Sequence, residues 1–311
     1  MDTAPLLTAI GGLPGPNILQ DHPAFLRACH SPWRFIPQNI LVILRGIVLA
    51  FIVATGVMVT HYKLSEESEL TNWRHFFDFS IVSFIMVFLY HLITFSWTFT
   101  HLYYPHREDC VGGIESWIVA AMSLPRNMAS LRKQFYFTMF YTATVVACFM
   151  NSTIYWLITR QRDIILWPYS SHSLTAFTVS DLFGEGWFNA FVIVALYGIT
   201  SAIMATEVFW LNSIKRPIAI GTHILGLLFL SGLYLGWAAI GKIVTDWYPF
   251  FWLDEDEVGS QEAVTAYCIG FVLLAPMMYT LMQGFVGIRE GLTRSLAEAR
   301  AVAAAEEALD A

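Results

Sequence analysis

Long apolar stretches alternate along the chain with short polar connections. A membrane-spanning helix needs roughly 20 mostly apolar residues. Six stretches meet that length: 39–60, 76–97, 135–158, 187–211, 217–244 and 263–288. The connections read HYKLSEESELTNWR, HLYYPHREDCVGG, TRQRDIILWPYSSH, NSIKRP and DWYPFFWLDEDEVGSQE, each rich in charged or turn-forming residues. Trp33, Trp73, Trp97, Trp156, Trp187, Trp210 and Trp247 stand near the edges of the stretches. An aromatic belt has this placement, with the ring body in the apolar layer and the indole N–H in the wet interface. The pattern predicts an all-α, polytopic membrane protein with six transmembrane helices. It divides into an amino-terminal segment (1–38), a six-helix membrane domain (39–288) and an Ala/Glu-rich helical tail (289–311).

Composition agrees with the pattern. Of 311 residues, 56% are hydrophobic and 13% charged, and the mean hydropathy is +0.56. A soluble domain carries about 25% charged residues, so a soluble enzyme is excluded, as are a disordered chain and a coiled coil. The net charge is −7 with no basic run, which argues against a nucleic-acid partner. Cys29, Cys110, Cys148 and Cys268 are scattered without metal-binding spacing and read as packing thiols.

The distribution of Lys and Arg predicts the orientation. Only Lys63, Arg74, Arg160 and Arg162 fall in the first, third and fifth connections. Eleven others, Arg289 among them, fall in the amino-terminal segment, the second and fourth connections and the tail. By the positive-inside rule both termini are cytosolic. The amino-terminal segment lacks the basic flank and apolar core of a signal peptide. The second connection holds IESWIVAAM, where Ile114, Trp117, Ile118, Ala121 and Met122 recur at helical spacing. This segment reads either as a short interfacial helix or as a packed re-entrant one.

Polar side chains within the apolar stretches are the candidates for function, because each is costly in a bilayer and requires a partner or a task. Counting helical rise from the cytosolic ends puts Arg45, His91, Glu207 and His223 in one layer. The layer reads as an Arg45–Glu207 clasp with hydrogen-bonded histidines, or as a pocket for the head group of an amphiphile. Two histidines on different helices are too few for a metal or haem site, so no metal and no cofactor is expected. Toward the opposite face lie Asp78, Ser80, Asn151, Asn189 and Tyr197, with Lys242 and Asp246 spaced to pair on one helical face. Asp78 reads either as a helix N-cap or as a general acid or base. The chain holds no GxSxG, HExxH or phosphate-binding loop. Any chemistry must therefore draw single residues from separate helices.

The order of these features resembles the androgen-induced-gene family of six-helix membrane proteins, including its fungal branch. The similar parts are LVILRGIVLAF with Arg45, NWRHFFDFSIVSF, the fourth stretch with Glu207, LYLGWAAIGKIVTDWYPFFWLD, and a sixth stretch closing on IRE, over about residues 35–290. The resemblance implies a lipid hydrolase that cleaves fatty acid esters of hydroxy fatty acids with an intramembrane threonine and a histidine. At both positions this chain differs. The threonine's place falls in Phe76-Phe77-Asp78-Phe79-Ser80, and the histidine's falls on Tyr197. On this basis Asp78, Ser80 and Tyr197 are the candidate catalytic residues. Arg45, His91, Asn151, Glu207 and His223 are the candidate substrate-binding residues.

Three classes of function follow as expectations. The first is an enzyme that modifies a lipid or another hydrophobic small molecule in an endomembrane such as the endoplasmic reticulum. The second is a cyclase or isomerase acting on a terpenoid or polyketide. The third is a non-catalytic transporter or assembly protein. The expected partners are membrane lipids and a hydrophobic small-molecule substrate; the oligomeric state is left open.

Overall fold

The computed structural model describes residues 23–66, 69–104, 113–125, 127–160, 186–217 and 220–310. The amino-terminal residues weighed for a signal peptide, Cys110, and most of the third connection lie outside them. Six helices are long and apolar enough to cross a membrane: α1 (Gln38–Glu66), α2 (Phe79–Tyr103), α3 (Leu131–Thr159), α4 (Trp187–Leu211), α5 (Ile220–Thr245) and α6 (Gln261–Asp310). No strand occurs among the described residues. In hydrocarbon every backbone N–H and C=O needs an internal partner, which helices supply within themselves. The chain is an all-α, multi-pass membrane protein.

The α3 helix occupies the centre. Within its most apolar window 72% of the residues are buried, against 44% or fewer in the other five helices. It packs against α2, α4, α5 and α6, while α1 lies along α2 and α5 along α6. The outer helices present Ile47, Val57, Leu225, Phe229, Leu233 and Met277 outward, as lipid contact requires. For orientation within the bundle, the end holding Gln38 and Leu211 is called the terminal face, and the end holding Phe79 and Trp187 the far face.

Element boundaries differ from the sequence expectation mainly in α2 and α6. The α2 helix begins at Phe79 rather than residue 76 and continues to Tyr103. Phe76 closes a short 3-10 segment, Glu69–Phe76, which α5 pins in place. Trp237 Nε1 donates to the Phe76 carbonyl (2.9 Å), and the Tyr234 hydroxyl donates to that of Phe77 (2.8 Å). The Phe77 side chain packs closely on Gly241, where an added Cβ would stand 2.6 Å from its Cγ. The α6 helix runs through Pro276 and on to Asp310, so membrane helix and tail are one element. The segment Ile114–Met122 is helical, with Ile114, Trp117 and Ile118 exposed and Val119 buried.

On the far face α5 ends at Asp246, which takes a left-handed φ of 53°. Lys242 pairs with Asp246 at 2.8 Å and holds its carboxyl below the usual carboxylate range. Beyond it, Phe250 and Trp252 turn inward and stack with ring centroids 4.6 Å apart. Together with Phe79, Tyr234 and Phe271 they form an aromatic plug between α2, α5 and α6.

Candidate functional site

Asp78 is the N-cap of α2. Its Oδ1 accepts the Ser80 backbone N–H at 2.9 Å and the Ser80 hydroxyl at 2.7 Å. Capping and chemistry are compatible here, because the same carboxylate oxygen that satisfies an orphan amide also polarises the Ser80 hydroxyl. Ser80 is 2% exposed and faces α4. There Tyr197 lies within interaction distance of both Ser80 and Asp78. Tyr234, on the other side, is also within electrostatic reach of Asp78. The three residues assigned to catalysis in the sequence are therefore brought together on the far-face half of the bundle.

Tyr197 is displayed by an irregularity in α4. Residues Ala195–Ile199 form a π turn, in which the Thr200 N–H reaches back to the Ala195 carbonyl. Such a turn inserts one extra residue into an α-helix and is frequent at functional sites. Within this turn the Leu196 carbonyl accepts from Thr200 Oγ1 (2.6 Å) and Asn151 Nδ2 (3.4 Å). Asn151 thus serves the α4 backbone, in a buried position on α3.

Beside this polar group a cavity of about 650 Å³ runs between α2 and α5, with α3 as its floor. Its walls include Phe79, Val82 and Met86 of α2, Ala143, Val146 and Met150 of α3, and Leu227, Tyr234, Gly236 and Trp237 of α5. The lining residues Phe76, Leu230, Leu233, Trp237 and Ile240 are also exposed on the bilayer-facing surface, so the cavity opens sideways toward lipid. Ser231 and Tyr234 are the hydroxyl-bearing residues of its lining. Tyr234 also reaches the Phe77 carbonyl, one residue from Asp78, so the polar group and the apolar cavity meet at this tyrosine. This volume falls within the range of small-molecule sites, about 300–1,000 Å³.

The terminal-face layer is organised differently. Arg45 and Glu207 form an ion pair at 3.0 Å, both side chains fully buried. Glu207 Oε1 also accepts from the Tyr90 hydroxyl (2.8 Å) and Asn212 Nδ2 (3.5 Å). Arg45 further donates to the carbonyls of Ala28, Thr94 and Leu211 and to Thr98 Oγ1. Glu207 opens a second π turn, Glu207–Leu211, that ends α4. The last carbonyls of any helix lack intrahelical partners and carry the negative end of its dipole. Here side chains supply every partner. Val208 receives Arg289, Phe209 receives Trp33 Nε1, Trp210 receives Ser31, and Leu211 receives Arg45. Arg289 also donates to the carbonyls of Asn212 and Ile214 and to Asn212 Oδ1.

The Arg45–Glu207 clasp is present. Both Nη atoms of Arg45 donate to protein groups. Arg45 Nε, Glu207 Oε2 and both ring nitrogens of His91 are buried without a partner among the described residues, so His91 is not the hydrogen-bonded histidine of the expected clasp. His91 is buried within reach of Arg45 and Glu207, whereas His223 packs against the rings of Phe135 (5.4 Å) and Tyr279 (6.5 Å). Arg289, counted in the sequence with the cytosolic tail, is 1% exposed and ties α6 to the end of α4. Likewise Trp33, placed in the aromatic belt, is buried and caps α4. Cys29 sits beside this cluster, and burial pushes its thiol up to about 12, so it acts as a packing group rather than a nucleophile.

Comparison with family models, with curated proteins and with solved structures finds no match for this chain.

Proposed function

We propose that this multi-pass membrane protein is a lipid-modifying enzyme that takes an ester-linked, acyl-chain substrate sideways from the bilayer. The apolar chain occupies the cavity between α2, α3 and α5, and the ester lies at Asp78, Ser80 and Tyr197. One observation carries the reading: the Ser80 hydroxyl is hydrogen-bonded to the Asp78 carboxylate, and the two residues flank Phe79, which lines the lipid-facing apolar cavity. The positive-inside count adds cytosolic termini, which puts the reacting group in the non-cytosolic half of an endomembrane.

The chemistry available to these residues is acyl transfer. As Ser80 Oγ bonds to the ester carbonyl carbon, its proton passes to Asp78, and the Tyr197 hydroxyl donates to the developing oxyanion. Collapse breaks the acyl–oxygen bond, and the alcohol leaves with the proton held by Asp78. Water then attacks the acyl-serine, releases the acid and returns the proton to Ser80. No metal or cofactor takes part in this scheme.

The test is turnover of a chromogenic long-chain ester by the purified, reconstituted protein. Ser80→Ala is expected to reduce kcat to background. Tyr197→Phe, which removes one oxyanion donor, is expected to lower it about 10²-fold. Equal turnover in the parent and both variants overturns the assignment.

A second reading draws on the aromatic part of the lining, Phe76, Phe79, Tyr234 and Trp237. Such rings suit a cationic intermediate on a terpenoid skeleton, with Asp78 as proton donor. Loss of one such metabolite on gene deletion, with ester turnover absent, would favour it.

A further inference from the structure

The π turn that displays Tyr197 faces a second one across the helix interface. The far-face end of α3 is itself a π turn, Tyr155–Thr159, in which the Arg160 N–H reaches the Tyr155 carbonyl. The Tyr155 and Tyr197 rings stack in parallel, with centroids 3.8 Å apart and planes 7° apart. The Tyr197 carbonyl accepts two hydrogen bonds from α3 side chains, one from Ser152 Oγ and one from Trp156 Nε1 at 3.0 Å. Tyr197 is therefore gripped twice by α3, at its backbone and on its ring face.

Packing alone does not call for this arrangement. A tyrosine in a regular helix against a neighbouring helix needs neither an inserted residue nor two donors on its own carbonyl. Each π turn gives up regular α-helical pairing that the bilayer otherwise favours. The common result of the two turns, the two donors and the ring stack is a fixed position for one phenol. That phenol lies within reach of Ser80 and Asp78.

We propose that Tyr155 and Trp156 are positioning residues, which hold the Tyr197 hydroxyl against Ser80 through the ring stack and the Tyr197 carbonyl. The proposal rests on the reading of Tyr197 as part of the reacting site. Neither residue touches the substrate; both act through Tyr197.

The experiment compares Trp156→Phe, which keeps an aromatic ring but loses the donor, with Tyr155→Leu, which loses the stacked face, and with Tyr155→Phe, which retains it. Ester turnover is measured in the parent and in a Tyr197→Phe background. A misplaced catalytic group is expected to lower kcat about 10- to 100-fold in Trp156→Phe and Tyr155→Leu. KM should stay near the parent value, and Tyr155→Phe should restore kcat. In the Tyr197→Phe background the same changes should cost nothing further. Equal losses in both backgrounds, or none in either, overturn the proposal.

A second readout does not depend on catalysis. A 3-fluorotyrosine at position 197 should give one ¹⁹F resonance in the parent and in Tyr155→Phe. In Trp156→Phe and Tyr155→Leu it should be displaced or split, and an unchanged resonance in both overturns the proposal. Absence of ester turnover in the parent, with the resonance displaced in those two variants, would reject the hydrolase reading and leave the positioning intact.

Discussion

Glu207→Leu is expected to destabilise the detergent-solubilised protein by about 3–5 kcal/mol, the cost of leaving one partner of a buried ion pair without the other. The reason lies in the surroundings of Arg45. Its guanidinium is fully buried among α1, α2 and α4, and Glu207 is the carboxylate paired with it. Carbonyls of Ala28, Thr94 and Leu211 solvate it in part but carry only partial charge. Arg45→Leu is also expected to destabilise, because Glu207 then keeps only Tyr90 and Asn212 as donors. The double variant Arg45→Leu/Glu207→Leu removes both charges together. It should be more stable than the sum of the single changes predicts by at least about 1 kcal/mol. Chemical unfolding of the three variants measures this coupling, and additive losses would show that the two charges do not depend on each other.

Arg289→Leu is expected to cost about 3 kcal/mol or more, because it orphans several buried carbonyls at once. Arg289 reaches Val208, Asn212 and Ile214, so one side chain caps the last turn of α4 and fastens it to α6. Arg289→Lys should recover only part of the loss, since an ammonium on a flexible stem cannot reproduce the planar fork of donors. Hydrogen exchange gives the local signature. The amides of residues 207–214 should lose protection in Arg289→Leu, while those at the centre of α3 keep it. Uniform loss across all six helices would mean that Arg289 contributes to general packing and not to this cap.

These residues also mark how far the sequence could be read. Hydropathy located all six spans, and for α4 the expected limits coincide with the observed ones, because an apolar run bounded by charged connections leaves little choice. Depth arithmetic placed Arg45 and Glu207 in one layer, and they do meet. The same arithmetic placed His223 in that layer but could not name its neighbours, Phe135 and Tyr279, because depth says nothing about the direction in which a helix turns each residue. Arg289 and Trp33 were misread for a related reason. A basic or aromatic residue at a span end has the same sequence signature whether it reaches for water or folds back onto a neighbouring helix terminus. The useful signal was on α4, whose last carbonyls need partners from outside the helix.

On the far face, Asp78, Ser80 and Tyr197 were picked from their polarity in an apolar context and from the resemblance, and the fold brings them together. The start of α2 was misplaced by three residues. Phe76 and Phe77 are as apolar as the helix they precede, and only the hydrogen bonds from Trp237 and Tyr234 reveal them as a separate segment. The π turns were invisible, since one extra residue in a helical turn has no compositional mark. The cavity was invisible as well, being a property of how α2 and α5 diverge over α3.

The most direct measurement of the central claim, a lipid chain in that cavity with its polar end at Asp78 and Ser80, is photolabelling in vesicles. The probes are two long-chain esters carrying a diazirine, one near the ester and one near the chain end. Gly236 lines the cavity and has open space where a Cβ would stand, so Gly236→Phe fills the cavity without touching the polar residues. The head-proximal diazirine is expected to label around Phe79 and Tyr234, and the chain-end diazirine around Met86 and Leu227. Both signals should be lost in Gly236→Phe. Labelling spread over the outward residues Leu225, Phe229 and Met277, unchanged by Gly236→Phe, would contradict the account.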